Sequence, residues 1–159
     1  MIGIGIGIGI GFGSKKKNPY GPEKVTNGTF DTNLNGWTHH PTFQWDTAEW
    51  SAGKLHLVSN GVNEGGGIMC FYQSLTLTAG KTYKIEYSAT RASGTYCIVS
   101  IENAVGDTNL GYNKVLNGNF IEDTTFICGA SATFIIDLWA SCTYASDYTL
   151  DNFSIKEVL

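Results

Sequence analysis

A chain of 159 residues with a formal net charge of −4 is long enough for one domain plus an extension. The charge is unevenly divided, +3 over residues 1–24 and −7 over the remainder, and an acidic body excludes nucleic acid as the partner of the globular part. Only 15% of the residues are charged, while glycine, threonine, asparagine and aromatics abound; that mix suits strands joined by tight turns and supplies few helix formers.

The chain opens on a strict alternation. Ile2, Ile4, Ile6, Ile8, Ile10 and Phe12 hold the even positions, and glycine holds the odd ones from Gly3 to Gly13. In an extended strand the side-chain period is 2, so every apolar group falls on one face and the other face is bare backbone. Such a face needs a partner sheet, copies of itself or a pocket on another protein. Lys15, Lys16 and Lys17 follow the run instead of preceding it, and no small-residue cleavage site comes after, which is not the layout of a signal peptide. The run is too short to span a bilayer as a helix, and alternate glycines disfavour helix in any case. Residues 1–17 are therefore expected to form an anchoring or assembly strand with a solvated lysine hinge. Asn18-Pro19-Tyr20-Gly21-Pro22 breaks regular structure and predicts a linker over 18–24, with the globular domain over 25–159.

Short strand-like runs with turn dipeptides between them follow. Asn27-Gly28, Asn35-Gly36, Asn60-Gly61 and Asn117-Gly118 are the strongest turn signals. Lys54–Val58 and Ile68–Thr78 read as strands. Thr82–Ala89 sets Tyr83, Ile85, Tyr87 and Ala89 against Lys84, Glu86 and Ser88. Thr95–Asn103 sets Cys97, Val99 and Ile101 against Tyr96, Ser100 and Glu102. Thr124–Cys128 is short. Thr133–Ser141 sets Phe134, Ile136, Leu138 and Ala140 against Ile135, Asp137, Trp139 and Ser141, and Tyr148–Val158 closes the chain. Helical periodicity is sustained nowhere. About eight strands of alternating burial predict an all-β fold, an antiparallel two-sheet jelly-roll sandwich preceded by the extended Gly-Ile strand. The four cysteines (Cys70, Cys97, Cys128, Cys142) contain no CxxC pair, which argues against zinc. Without a secretory signal they are expected as reduced, buried thiols, although Cys128 and Cys142 flank one strand and could pair in an oxidising compartment.

Several segments resemble family 4/9-type carbohydrate-binding modules. Asn27-Gly28-Thr29-Phe30-Asp31 followed by Gly36-Trp37 looks like their N-terminal opening, and Trp50–Leu57 resembles the next strand. Tyr72–Leu77 with Ala79-Gly80-Lys81-Thr82-Tyr83 is similar to their central strand pair, and Tyr148–Ile155 to the closing strand. The resemblance spans roughly residues 25–158 and implies a galactose-binding-like jelly roll whose one sheet presents aromatic and polar side chains to a glycan; such jelly rolls also occur in phage virion proteins. Aromatics would stack on sugar rings, and amides and carboxylates would take the hydroxyls. The strand phases nominate Trp139 and Asp137 on one strand, Tyr96 on another, Gln73 and Arg91 at a strand and a strand end, and Trp45 and Trp50 in a rim segment. Core packing is the competing reading for each tryptophan, and the favoured one for Trp37 and Trp50. The resemblance also implies a structural calcium at Asp31 and Asp151, residues whose oxygen ligands suit that ion. Asn152 stands where a second aspartate is common, and turn capping by these aspartates is the competing reading.

His39-His40 and His56 lack metal-site spacing, and no nucleophile elbow, P-loop or dinucleotide fingerprint is present. Glu86 and Glu102 are the one carboxylate pair that could pose as a glycosidase centre; the reading here is solvated surface and no enzyme. Joined together, these features predict a bacteriophage virion structural or decoration protein, a head fibre or tail-associated adhesin. Residues 1–17 would enter a capsid, connector or tail protein or bundle with copies of themselves, a trimer suiting a fibre. The jelly roll would be displayed, with glycan as its partner, on a virion assembled in the host cytoplasm. The alternative is a plain carbohydrate-binding module of a glycan-degrading system.

Overall fold

The computed structural model describes residues 18–39, 47–59, 68–102, 111–129, 132–140 and 145–159, with backbone alone for Thr47, 68–70 and 132–140. The Gly-Ile segment, with Ile2, Ile4, Ile6, Ile8, Ile10 and Phe12, lies outside the described residues, as do Trp45, His40 and Cys142.

Eleven strands are described. They are β1 (Tyr20–Glu23), β2 (Thr38–His39), β3 (Thr47–Ser51), β4 (Lys54–Ser59), β5 (Ile68–Leu77), β6 (Thr82–Gly94), β7 (Cys97–Glu102), β8 (Tyr112–Leu116), β9 (Phe120–Ile127), β10 (Ala132–Ala140) and β11 (Ser146–Val158). They form two antiparallel sheets. The first is ordered β3-β4-β11-β6-β9 with β1 also on β11; the second is ordered β2-β5-β10-β7-β8. The chain is thus an all-β two-sheet sandwich of jelly-roll type, as the alternating pattern predicts. Among the described residues no helix is long and apolar enough to cross a membrane.

Period-2 alternation builds the core. From the first sheet Leu55, Leu57, Tyr83, Ile85, Tyr87, Ala89, Tyr148, Leu150 and Ile155 are buried, and from the second Phe71, Leu75, Leu77, Cys97, Val99, Ile101 and Leu116. Each large side chain so buried contributes roughly 1.5–3 kcal/mol relative to exposure. Phe30, Trp37 and Phe153 close one end as an aromatic cluster with centroids 5.3–6.2 Å apart. The Trp37 indole N–H donates to the carbonyls of Thr26 and Asn27, both at 3.2 Å, so its polar end is satisfied while its ring is buried.

The stretch 18–24 departs from the expected linker. Tyr20 and Glu23 pair with Val158 and Lys156 of β11, across a register irregularity. Proline is tolerated there because β1 lies off the main strand path, where a missing donor costs no central ladder bond. Glu23 fastens this strand: its carboxylate accepts bonds from the backbone N–H groups of Val25 (3.1 Å) and Ile155 (2.8 Å) and from Ser154 Oγ (2.6 Å). Gly28 fastens the next segment. It accepts a bond from Phe153 N at 2.9 Å, and a Cβ on it would lie 2.0 Å from the Phe153 carbonyl oxygen. That contact meets the bulge of β11, where the register breaks between Asp151 and Ser154 and Asn152 takes φ +59°. The tight β3–β4 hairpin turns on Ala52 and Gly53, both at positive φ (+49° and +78°), as a two-residue hairpin loop requires.

Candidate functional site

The outer face of the second sheet holds the arrangement with most chemistry. β10 runs between β5 and β7, and β7 pairs β8, so register alone places residues in rows across the strands. One row is Thr38, Tyr72, Asp137, Ser100 and Asn113. The next contains Ser74, Ile135 and Glu102, and on the other side Trp139, Ile98 and Val115 align. Thr38, Ser74, Asn113 and Val115 are exposed, and Tyr72 and Ile98 are half-buried. Ser100 and Glu102, in the middle of the sheet, are buried, and Ser100 Oγ donates to Glu102 Oε1 at 2.9 Å. The face therefore combines an aromatic ring, amide and hydroxyl groups, a carboxylate position and an apolar flank.

The residues expected to bind a ligand are distributed across both sheets. Asp137 and Trp139 lie on β10 at the centre of this face by backbone register; their side chains are outside the described set. Gln73 is a correction. It is buried, and its side-chain amide is spent on main chain: Oε1 accepts from Thr26 N at 2.7 Å, and Nε2 donates to the carbonyls of Thr26 (2.8 Å) and Gly36 (3.0 Å). Its phase is that of Phe71, Leu75 and Leu77, the core face of β5, so its neighbour Tyr72 is the residue that faces outward. The β5 alternation already held that signal. Arg91 and Trp50 belong to the first sheet and are not brought to the row. Arg91, exposed near the end of β6, donates from Nη1 to the Gly94 carbonyl at 3.3 Å. Trp50 is not the core residue expected: it is 43% exposed on β3 and donates its indole N–H to the Phe30 carbonyl at 2.6 Å. Tyr96 precedes β7, half-buried, and its carbonyl accepts from Ser146 Oγ at 3.3 Å. Asn113 and Val115 were missed because Tyr112–Leu116 carries a weak strand pattern.

The expected solvated carboxylates also divide. Glu86 is half-buried on the first sheet, bonded to Lys84 Nζ at 2.9 Å, while Glu102 is fully buried on the second. The core separates them, so they form no glycosidase pair, and the expectation of surface exposure fails for Glu102. A second buried carboxylate, Glu122, lies at the β8–β9 side of the sandwich. Tyr112 Oη donates to it at 2.5 Å, Tyr87 Oη lies 2.8 Å from Tyr112 Oη, and Lys114 Nζ is 3.8 Å away. Burial pushes both tyrosine hydroxyls well above their ordinary range, and for Tyr112 the adjoining Glu122 carboxylate adds to the effect.

The two aspartates named for a calcium make local hydrogen bonds. Asp31 is exposed and accepts from Thr29 Oγ1 at 2.8 Å, and Asp151 accepts from the Asn152 backbone N–H at 2.7 Å. Among the described residues no group of three or more His, Cys, Asp or Glu side chains could hold a metal ion. Asp151 instead shapes the bulge, and asparagine follows it because that residue type tolerates the left-handed backbone of position 152. His56 Nε2 lies 3.0 Å from Asp147 and Nδ1 3.4 Å from Glu49, a tie between β4, β11 and β3.

No protein-family model and no curated protein matches the chain. Solved structures do. A structure described as "CBM4 structure and function" superposes with a TM-score of 0.64 at 16% identity, over 84% of this chain and 99% of that one. The N-terminal cellulose-binding domain of Cellulomonas fimi β-1,4-glucanase C superposes at 0.56 and 20% identity, over 86% and 97%. The enzymatically active domain of bacteriophage CBA120 tailspike protein 4 superposes at 0.57 and 13% identity, over 86% of this chain but only 21% of that one. The fold is the jelly roll of carbohydrate-binding modules, one that also occurs within a phage tailspike.

Proposed function

We propose that this protein is a non-catalytic glycan-binding jelly roll displayed on a phage virion, assembled in the host cytoplasm and held by residues 1–17 in a capsid, connector or tail protein. The observation that carries the binding reading is the row Tyr72–Asp137–Ser100–Asn113. At roughly 4.8 Å between strands, five strands give a track of about 19 Å, the reach of a short oligosaccharide. Tyr72 supplies an aromatic face for a sugar ring. Asn113 and the Asp137 position supply hydrogen-bonding groups for hydroxyls, over the buried Ser100–Glu102 pair as floor. The likeness of the fold to carbohydrate-binding modules supports the same reading. The Gly-Ile alternation and the tailspike likeness support the virion reading: strand addition would pair the segment's backbone and bury its apolar face at roughly 1.5–3 kcal/mol per large side chain, before the entropy of ordering glycines is subtracted.

A glycan array followed by calorimetry tests the site. Tyr72→Ala and Asn113→Ala should each weaken the best ligand about tenfold, equivalent to ~1.4 kcal/mol, without lowering Tm. A wild-type protein that binds no glycan, or variants that bind as well as wild type, would overturn it. Substituting serine for Ile4, Ile6 and Ile8 should release the protein from purified particles; undiminished occupancy would count against the anchor.

A further inference from the structure

Among the described residues β9 is the last strand of the first sheet and pairs with β6 alone. Cys128, just past its end, donates to the Lys81 carbonyl at 2.9 Å and accepts from Gly80 N at 2.8 Å, so the backbone groups of that position point to the β6 side. Backbone direction alternates along a strand, and those of Ile121, Asp123, Thr125 and Ile127 therefore point to the open side. The same four side chains lie toward solvent: Ile121 is 83% and Ile127 65% exposed, among the largest apolar exposures described. Val115, 53% exposed, sits on β8, which is the edge of the other sheet on the same side of the sandwich. An exposed edge carrying isoleucines invites strand pairing.

The charge on this edge is already compensated. Asp123 is bonded to Lys84 Nζ at 3.1 Å. We propose that the partner is a second copy of the chain, its β9 adding antiparallel to this one about a two-fold axis at Thr124. In that register Ile121 lies opposite the partner copy's Ile127, and Asp123 opposite its Thr125. All four are outward-pointing positions, so faces and hydrogen-bond directions match. Asp123 and Thr125 exchange two backbone bonds at each of their two pairings. Moving the axis one residue earlier sets Asp123 against its own copy and leaves the isoleucines unmatched. Moving it one residue later sets Asp123 against isoleucine. The row is self-complementary about one point, as a closed two-fold interface requires. Gly111 approaches the edge at its far end, where an added Cβ would lie 2.8 Å from the Ile127 carbonyl, so the proposed ladder bonds are those of Asp123 and Thr125, and the isoleucines contribute side-chain contact. This association is independent of the glycan face, which lies on the other sheet.

The test is solution mass by light scattering on the full chain, with cross-linking beside it. Wild type should weigh twice one chain, and Ile121→Lys with Ile127→Lys should be a folded monomer of unchanged Tm. Asp123→Cys and Thr125→Cys proteins, oxidised separately, should stay uncross-linked beyond the wild-type background; mixed, they should give a heterodimer. A monomeric wild type would overturn the proposal. So would an assembly that survives the lysine substitutions but is lost when Ile4, Ile6 and Ile8 become serine, since the N-terminal strand would then hold the copies. Cross-linking of either cysteine variant with itself as readily as in the mixture would overturn the register.

Discussion

Gln73 grips the main chain of Thr26 from both sides: its Oε1 accepts the Thr26 N–H at 2.7 Å and its Nε2 donates to the Thr26 carbonyl at 2.8 Å. A strand of the second sheet thereby holds the N-terminal segment that leads out of β1, in the manner of a ladder bond made by a side chain. Gln73→Ala would take this partner from the Thr26 N–H and the Gly36 carbonyl, while the Thr26 carbonyl would keep the Trp37 indole N–H at 3.2 Å. The expected cost is about 2–4 kcal/mol in urea unfolding, since each buried polar group left unsatisfied costs ~1–3 kcal/mol and part is recovered by water. Glycan affinity of the folded variant should be unchanged, which separates this brace from a binding residue.

Gly28→Ala should be more severe. The added Cβ would sit 2.0 Å from a carbonyl oxygen of the closing strand, and backbone cannot step aside as a flexible side chain can. The bond from Phe153 N would be lost with the displacement. The expected outcome is a loss of about 3 kcal/mol or more, or failure to fold, read by denaturation and soluble yield.

The Tyr87–Tyr112–Glu122 chain yields a spectroscopic prediction. In ultraviolet titration of the folded protein, Tyr87 and Tyr112 should stay un-ionised beyond the range where exposed tyrosines titrate, as should Tyr148, which burial also raises, and Tyr112→Phe should remove one member of that late-titrating group. The same variant takes from Glu122 its O–H donor, leaving Lys114 at 3.8 Å as its remaining cationic neighbour. Its cost should be about 1.5–3 kcal/mol, the range for a hydrogen bond to a charged group.

Glu23 gives stability a pH dependence. Burial raises its carboxyl pKa, but the hydrogen bonds from Ser154, Val25 and Ile155 and the Lys156 charge outweigh it and hold the folded value below the ordinary one. A group with a depressed folded pKa binds fewer protons folded than unfolded. Its stabilisation is thus complete above the unfolded pKa and is lost as pH falls through the folded one. Glu23→Gln should lower Tm at neutral pH, and the difference from wild type should close on acidification. A Tm difference that stays constant across that range would contradict this account.

The sequence by itself determined the sandwich. Period-2 alternation depends only on which side of a strand each residue occupies; in Tyr83–Ala89 it marks the buried set correctly, and on β7 it marks Cys97, Val99 and Ile101 but not the buried Ser100 and Glu102 of the other face. It also placed Trp37 in the core. What it could not determine was which strands share a sheet, because pairing is set by contacts between segments far apart in the chain. Only the tertiary structure decided that Arg91 and Trp50 lie on a different sheet from Asp137 and Trp139. It likewise decided that Glu86 and Glu102 are separated by the core, and that Tyr20–Glu23, within the expected linker, is a strand on β11. Gln73 combines both lessons: its phase was legible in the apolar neighbours Phe71 and Leu75, but a buried glutamine is stable only because Thr26 and Gly36 arrive from another part of the chain to take its hydrogen bonds.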